Sequence, residues 1–271
     1  MPISKAQADV LRVIAANRSP DSYLAGATIV HRRPDSPRTS LDLDFFHDIE
    51  DSIAVAGEAD AKALIEAGYS LRWLLRTPTF YRATVVADDG EALKIEWAQD
   101  SAFRFFPVQE DDLCGYRLHD ADAATNKVLA LAGRNEIRDL VDVLYLHEHY
   151  LSLGALTWAA CGKDPGYTPE FLLEQASRHT AHTQHELDHL LLQQPMDLGA
   201  VKEQWLGALD QARELASSLP PDDVGCLYLS DLGEPVEPHP RKNDFARLVR
   251  HHGTVRGAWP TVVPRKAPED R

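Results

Sequence analysis

The sequence predicts an α+β fold, in which an N-terminal half with a mixed β-sheet and flanking helices is followed by a helical C-terminal half. The 271 residues are 44% hydrophobic and 26% charged, which is typical of a globular protein with a substantial core. Short β-rich runs alternate with helical patterns up to about residue 118, and helical spacing dominates beyond it. We therefore expect an α/β domain over 1–118, a helical domain over 119–219 and a Pro-rich basic extension over 220–271.

The elements of the N-terminal half are predicted from hydrophobic spacing and turn residues. An amphipathic helix is expected over 4–17, because Val10, Leu11 and Ile14 recur at helical spacing. Asp88-Asp89-Gly90 separates two β-rich runs and predicts a hairpin turn. The other predicted elements are strands over 22–30 and 41–46, a helix over 60–67, and strands over 69–75, 80–87, 92–98 and 103–108.

Helices dominate the predictions for the C-terminal half. A break at Gly133-Arg134-Asn135 separates the first two, and Pro220-Pro221 ends the last one, because proline lacks the backbone N–H that a helix needs. Residues 238–271 hold eight Lys or Arg against three Asp or Glu, which is typical either of a solvated tail or of an arm that binds RNA or an acidic partner. The predicted helices cover 121–132, 136–150, 153–161, 169–192 and 197–219.

Composition and charge disfavour several classes of protein. With 42 acidic and 28 basic residues, the net charge of −14 disfavours a general nucleic-acid coat protein. No apolar run approaches the roughly 20 residues that a membrane-spanning helix needs. Asp9 and Arg12 interrupt the first apolar stretch, which argues against a secretory signal. Cys114, Cys161 and Cys226 are odd in number and far apart in the sequence, which favours a cytoplasmic protein without disulfides.

The most informative motif is Ser-Leu-Asp-Leu-Asp-Phe-Phe. Alternate residues of a strand face the same side, so Asp42 and Asp44 would point together. Leu41, Leu43 and Phe45 would point into the core. Two like charges at this distance repel unless a cation neutralises them or one carboxyl is protonated, and carboxylate oxygens suit Mg²⁺. An edge strand with a polar face is the alternative, although Asp is depleted in strands.

A third carboxylate, Glu96, would complete a site for two metal ions. It lies in a predicted strand that could pair beside the acidic motif, with Ile95 and Trp97 packed in the core. Lys94 would share the face of Glu96. A solvent-facing strand of Lys and Glu is an equally good interpretation.

Charged residues also stand among Val, Leu and Tyr in the first two helices of the C-terminal half. A lysine near a metal-bound triphosphate would neutralise the charge that develops during transfer. Surface ion pairs between residues one helical turn apart are the alternative. The residues concerned are Lys127, Arg134, Arg138, Asp139 and Asp142.

Together these stretches resemble a known family. Leu-Ala-Gly-Ala-Thr at 24–28 precedes the acidic motif, and about 80 residues after that motif come Asn126-Lys127 and Arg-Asn-Glu-Ile-Arg-Asp-Leu-Val-Asp-Val-Leu-Tyr-Leu at 134–146. The layout is similar to that of the AbiEii/AbiGii-type nucleotidyltransferases, minimal nucleotidyltransferases of the DNA polymerase β type. That family comprises toxins of type IV toxin–antitoxin and phage-defence systems, with relatives that modify tRNA 3′ ends.

The resemblance implies a nucleotidyltransferase-like N-terminal half, a reaction and a set of residues. Mg²⁺ (or Mn²⁺) would bridge the triphosphate of an NTP, and an RNA 3′-hydroxyl, with tRNA as the implied acceptor, would attack the α-phosphate. A cognate antitoxin is an implied partner, and Ser40 stands where some relatives carry a Ser or Thr that an antitoxin kinase phosphorylates. The implied catalytic residues are Asp42, Asp44, Lys127 and Asp142, the expected metal ligands are Asp42, Asp44 and Glu96, and the expected nucleotide-binding residues are Gly26, Thr28, Arg33, Ser40 and Lys127.

The chain departs from the family pattern at two places. Gly26-Ala27 stands where Gly-Gly or Gly-Ser is usual, and the loop before the acidic motif is rich in Arg and Pro and lacks the commoner Gly-His-Arg run. Glycine at 26 would let a phosphate approach the backbone without a Cβ clash. An RNA acceptor would need a basic patch in this acidic chain, and the candidates are Arg32, Arg33, Arg38, Arg134 and Arg138.

A second motif, His185-Glu186-Leu187-Asp188-His189, matches the helical zinc-protease signature and predicts an alternative function. On a helix both histidines would share a face, and the glutamate could act as a general base in a zinc hydrolase. His179 and His182 extend the stripe, whereas Asp188 puts a charge inside the motif. A polar helix face is the competing interpretation. A further alternative is a non-catalytic protein of the same fold that binds a nucleotide or a partner.

Overall fold

A mixed β-sheet organises the N-terminal half of the chain. The structure is a computed structural model that describes residues 3–88, 90–134, 136–178 and 181–261. Its strands are β1 (Ser22–Ala25), β2 (Asp42–His47), β3 (Ser70–Thr77), β4 (Phe80–Val86), β5 (Ala92–Gln99), β6 (Phe103–Arg104), β7 (Gln109–Asp111), β8 (Gly115–Arg117), β9 (Cys226–Leu229), β10 (Val249–His252) and β11 (Thr254–Val255). Within the described residues, seven strands form one sheet in the order β3-β4-β5-β2-β1-β8-β7. β2 is central, antiparallel to β1 and parallel to β5.

Helices cover the sheet and build the C-terminal half. They are α1 (Lys5–Ile14), α2 (Gly26–Val30), α3 (Asp51–Glu66), α4 (Asp120–Gly133), α5 (Ile137–His149), α6 (Leu153–Ala160), α7 (Pro169–Ser177), α8 (Gln184–Asp188) and α9 (Leu198–Ser218). α3 packs against β3, β4 and β5, and the short helix α2 joins β1 and β2 to α4 and α5. α6 packs on α4 and α9. The predicted α+β fold with a helical C-terminal half is confirmed.

Most predicted elements are present with shifted ends, but two predicted strands are largely wrong. The strand predicted over 22–30 ends at Ala25, because Gly26 has a φ of +68° and turns the chain into α2. Of the strand predicted over 103–108 only β6 exists. The amide groups of Phe105 and Phe106 donate to the Asp122 carboxylate at 2.8 and 3.0 Å, so they are unavailable to a neighbouring strand.

Two predicted helices also differ from the structure. The helix predicted over 60–67 begins much earlier, at Asp51. The helix predicted over 169–192 is divided, because Thr183 and Glu186 form a capping box that begins a new helix at Gln184. Asp89 of the predicted turn, Asn135 of the predicted break, His179 of the histidine stripe and residues 262–271 lie outside the described residues.

One hydrophobic core extends through both halves of the chain. Leu43 and Phe45 of β2, Val128 of α4 and Trp205 of α9 belong to the same buried cluster. β9 lies within the predicted basic extension, yet all four of its residues are buried and it pairs with β10. The apolar sequence Cys-Leu-Tyr-Leu explains this burial. The domain boundaries after residues 118 and 219 stay a prediction.

None of the helices in the described ranges combines the length and the apolar character that crossing a bilayer demands.

Candidate active site

The two aspartates of the acidic motif lie on one face of the central strand. Residues of β2 alternate between partly exposed and buried positions, and Leu43 and Phe45 are fully buried on the opposite face. The predicted alternation is therefore present within β2. Leu41 is the exception, since it precedes the strand, is 54% exposed and lines the cavity above Asp42 and Asp44 instead of the core.

Strand β5 adds charged side chains to this face. The parallel register sets Lys94 beside Asp42 and Glu96 beside Asp44. Lys94 Nζ is 2.8 Å from Asp42 Oδ2 and 3.0 Å from Glu96 Oε1. Arg82 Nε of β4 is 2.8 Å from Glu96 Oε1. The predicted third carboxylate thus shares the acidic face, but it already pairs with two cations.

Gly26 fits against the second aspartate. A Cβ atom at this position would lie 2.0 Å from Asp44 Oδ2, far inside van der Waals contact. The positive φ of Gly26 also places it in the left-handed region that side chains disfavour. Glycine therefore lets the turn before α2 pack directly on Asp44.

The carboxylate of Asp44 is poorly compensated. Within the described chain it makes neither a hydrogen bond nor an ion pair. Burial raises its pKa to about 6, and the nearby carboxylates of Glu96 and Asp42 act in the same direction, whereas Lys127 and Lys94 oppose them. A carboxylate in this state favours the arrival of a cation or a proton.

Asp142 lies behind the acidic face in a buried cluster of opposite charge. Its carboxylate accepts hydrogen bonds from Arg38 at 2.6 and 2.7 Å, and it lies 2.9 Å from Lys127 Nζ and 2.6 Å from His31 Nε2. Burial opposes ionisation, but Lys127, Arg38 and His31 outweigh it and hold the pKa of Asp142 well below its usual range. Lys127 Nζ also lies 3.2 Å from Asp139. Two buried aspartates, Asp139 and Asp142, therefore hold the ammonium group of Lys127 in place.

These groups meet at a cavity of about 300 Å³. Its walls contain the three carboxylates of the acidic face and several cationic side chains, which suits a polyanionic ligand together with a metal ion. The cationic side chains are Arg38, Arg82, Lys94, Lys127, Arg134 and Arg138.

The sequence also matches a family model. Residues 10–222 match the model described as nucleotidyl transferase AbiEii toxin, type IV TA system. The chain belongs to this family. It is therefore a nucleotidyltransferase that uses an NTP, which confirms the resemblance carried by the acidic motif and the helical motif.

Solved structures share the fold of this AbiEii protein. MenT4, a nucleotidyltransferase toxin from Mycobacterium tuberculosis H37Rv, is 17% identical, with a TM-score of 0.57 over 80% of this chain and 83% of that one. A putative nucleotidyltransferase from H. pylori is 19% identical, with a TM-score of 0.51 over 79% and 96%. JHP933 from Helicobacter pylori is 20% identical, with a TM-score of 0.50 over 79% and 95%. No curated protein matches the sequence significantly.

The predicted nucleotide-binding residues of the AbiEii protein occupy different environments. Ser40 is buried at the cavity wall, and Gln7 donates to its carbonyl at 2.7 Å. Thr28 is also buried, and its hydroxyl donates to the Asp42 carbonyl at 2.8 Å. Arg33 is exposed and lines a separate cavity of about 190 Å³ instead of the acidic one. The site thus brings Gly26 and Ser40 close to the acidic pair and leaves Arg33 apart.

Sequence patterns missed part of the cavity wall. His189, Leu190 and Leu191 follow α8 and line the acidic cavity. Thr39 donates its amide hydrogen to the Leu191 carbonyl at 2.9 Å, which ties this segment to the loop before β2. About 150 residues separate the two segments. A local sequence pattern does not predict a contact between segments so far apart.

The zinc-site alternative finds no support in the geometry. α8 has five residues, and Glu186 bonds Thr183 in the capping box at 2.6 and 2.8 Å. His189 Nδ1 lies 2.6 Å from the carbonyl of His185. Among the residues that the structure describes, no three His, Cys, Asp or Glu side chains are arranged to hold a metal ion.

Proposed function

We propose that this AbiEii protein transfers a nucleoside monophosphate from an NTP to the 3′ end of an RNA, with tRNA as the acceptor, and that it is the toxin of a toxin–antitoxin or phage-defence system. One observation carries the proposal. Asp42 and Asp44 face a cavity that six cationic side chains surround, which is the arrangement that phosphoryl transfer needs. The three cysteines of the protein are free and buried, which suits a cytoplasmic location.

Asp42 and Asp44 fit a single Mg²⁺ (or Mn²⁺). Both carboxylates lie on one strand face, and Asp44 makes no hydrogen bond or ion pair within the described chain. Mg²⁺ takes one or two protein carboxylates and completes its shell with phosphate and water oxygens. When bound, the ion supplies charge neutralisation for the triphosphate.

Residues of α4 and α5, together with Arg134 at the C-cap of α4, act on the phosphates. Lys127 lies at the cavity wall, and Asp139 and Asp142 hold its ammonium group in place. Arg134 pairs with Asp139 at 2.6 Å, and Arg138 lies 3.7 Å from Asp42. These cations would stabilise the leaving pyrophosphate without reorganising during the reaction. Asp142 is a positioning residue in this scheme, since it acts through Lys127 and Arg38 and does not itself line the cavity.

Thr28 and Ser40 support the backbone that carries the acidic pair, and Ser40 also lines the cavity where the nucleotide binds. Thr28 supports the Asp42 carbonyl from below. The hydroxyl of Ser40 lies 3.4 Å from the same carbonyl. A phosphate on Ser40 would bring about two negative charges beside the acidic pair and would repel the NTP. An antitoxin that phosphorylates Ser40 would therefore inactivate the protein, once the loop before β2 exposes the hydroxyl.

We assign the RNA acceptor to the surface around Arg33. The cavity that Arg33 lines also contains Arg117 and the stacked rings of Tyr145 and His149, whose centroids are 4.6 Å apart. Arginine and aromatic rings of this kind bind single-stranded RNA. An Arg33→Ala variant should bind a single-stranded RNA more weakly, with a salt slope reduced by about 0.7 per lost phosphate contact. An unchanged slope would remove this surface from the proposal.

The direct test is transfer of label from each α-labelled NTP to total tRNA in the presence of Mg²⁺. We expect labelled tRNA with one or two of the four NTPs, and a loss of at least about 1,000-fold in the Asp42→Asn variant, because the metal pair is broken. The matched control is Asp9→Asn, an exposed aspartate on α1, which should keep full activity. Label on protein would contradict the RNA acceptor, and label with Asp42→Asn would contradict the site.

A further inference from the structure

Lys94 lies where a second metal ion would be expected. Its Nζ is 2.8 Å from Asp42 Oδ2 and 3.0 Å from Glu96 Oε1, so one ammonium group bridges two of the three carboxylates. The parallel register between β2 and β5 places Lys94 beside Asp42, and Glu96 shares its strand face two residues later. The position of the lysine therefore follows from the sheet itself.

Glu96 is further removed from metal binding by a second cation. Arg82 is opposite Glu96 in the antiparallel register of β4 and β5, and its Nε lies 2.8 Å from Glu96 Oε1. A divalent ion at Glu96 would have to displace Lys94 or lie against two positive charges. In agreement with this, the described residues contain no group of three His, Cys, Asp or Glu that could hold a metal ion.

Asp44 is in the opposite condition. It makes no hydrogen bond or ion pair in the described ranges, and it lines the same cavity as Lys94 and Glu96. Asp42 lies between the two conditions, because Lys94 approaches its Oδ2 at 2.8 Å and Arg138 only at 3.7 Å. Among the described residues, Asp44 is thus the carboxylate of this face without a paired cation. Glu96 has both Lys94 and Arg82 within 3.0 Å, whereas Asp42 has only Lys94 at such a distance.

We propose that the Lys94 ammonium replaces a second divalent cation between Asp42 and Glu96, so that the site takes one metal ion, on Asp42 and Asp44. The inference rests on the proposed function, since it takes Asp42 and Asp44 as the metal ligands. Lys94 then acts as a fixed cation that holds Asp42 and neutralises one charge of the acidic face. Glu96 positions Lys94 and is not a ligand.

The number of bound Mn²⁺ ions tests the proposal without any measurement of transfer. The full chain is titrated with Mn²⁺ alone, and free Mn²⁺ is counted by electron paramagnetic resonance. We expect one ion per chain in the wild type and two in Lys94→Met, because removing the ammonium opens the position between Asp42 and Glu96. The matched control is Lys62→Met, an exposed lysine on α3, which should leave the count at one.

Two further variants keep the test decisive if Lys94→Met does not fold. Lys94→Arg retains the charge and should bind one ion, and Glu96→Gln should also bind one ion with an affinity within about threefold of the wild type. Two ions in the wild type, one ion in a folded Lys94→Met, or a lost ion in Glu96→Gln would each overturn the role of Lys94. Two ions together with normal nucleotide transfer would leave the proposed function intact, whereas no ion in the wild type would refute the metal pair itself.

Discussion

Two aspartates of this AbiEii protein, Asp44 and Asp142, lie in opposite electrostatic environments. Asp44 on β2 lacks an ion pair within the described chain, and burial together with Glu96 raises its pKa to about 6. Asp142 on α5 is fully buried beside Lys127, Arg38 and His31, which hold its pKa well below the usual range. The fold neutralises the charge of Asp142 with its own side chains, and it leaves the charge of Asp44 for a ligand to neutralise. We therefore expect Asp142 to contribute to stability and Asp44 to contribute to function.

The largest effect on stability is expected from a substitution of Asp142, the aspartate with buried charged partners. Asp142→Asn removes the carboxylate that pairs with Arg38 and His31 and leaves Lys127 with Asp139 alone. It should lower the free energy of unfolding by about 3–5 kcal/mol. Urea unfolding at neutral pH measures the change. The exposed pair of Asp9 and Arg12 supplies the control, since Asp9→Asn should change stability by less than about 1 kcal/mol. Similar losses in both variants would remove the distinction.

Removing the carboxylate of Asp44, which has no paired cation among the described residues, should raise the free energy of unfolding. A pKa raised from 3.8 to about 6 means that the stability contributed by protonated Asp44 is fully present below pH 3.8 and is lost as the pH rises through about 6. Without added metal, Asp44→Asn should therefore be more stable than the wild type at pH 7.5, by about 3 kcal/mol. The difference should vanish near pH 4. Urea unfolding in EDTA across this range measures it, and a variant less stable at every pH would contradict it.

The contact between Gly26 and Asp44 gives a smaller and more local effect. Gly26→Ala should destabilise the protein by about 1–2 kcal/mol for the left-handed backbone, and it should also displace the Asp44 carboxylate, so that nucleotide transfer falls at least about tenfold. Gly68 has a φ of +94° with no atom near the position of its Cβ. Gly68→Ala should therefore show the backbone effect alone and keep its transfer activity.

If Gly26→Ala and Gly68→Ala lost the same stability and both retained full transfer, the packing of Gly26 on Asp44 would be irrelevant to function. Unfolding by urea and transfer of labelled NTP, measured on the same preparations, separate the two effects.

The sequence predicted the parts of this site that depend on local patterns. A few residues of sequence are enough to show the strand alternation around Asp42 and Asp44. The same is true of the helical spacing around Lys127 and, on the next helix, around Asp142. The partners of Asp142 are not, because Arg38 lies 104 residues away and takes its place only through the tertiary fold.

Other differences arise where one contact overrides a pattern. A single carboxylate, Asp122, takes the amide hydrogens that a strand at Phe105 and Phe106 would use. The capping box of Thr183 and Glu186 begins a new helix within a segment that hydrophobic spacing predicts as one continuous helix. Periodicity predicts which residues are buried in an element, but it does not predict side chains that compete for the backbone hydrogen bonds of that element.

Thr28 tests whether a residue near the acidic pair acts on the nucleotide or on the strand. Its buried hydroxyl donates to the Asp42 carbonyl at 2.8 Å, so Thr28→Val should lower the free energy of unfolding by about 1 kcal/mol and leave the KM for NTP unchanged. Valine keeps the shape of threonine and removes only the hydrogen bond. Thr254→Val, at an exposed position on β11, is the control and should change neither quantity. A tenfold rise in KM with unchanged stability would show that the hydroxyl serves the phosphates directly, and Thr28 would then belong with Asp44 among the groups that the fold leaves for a ligand.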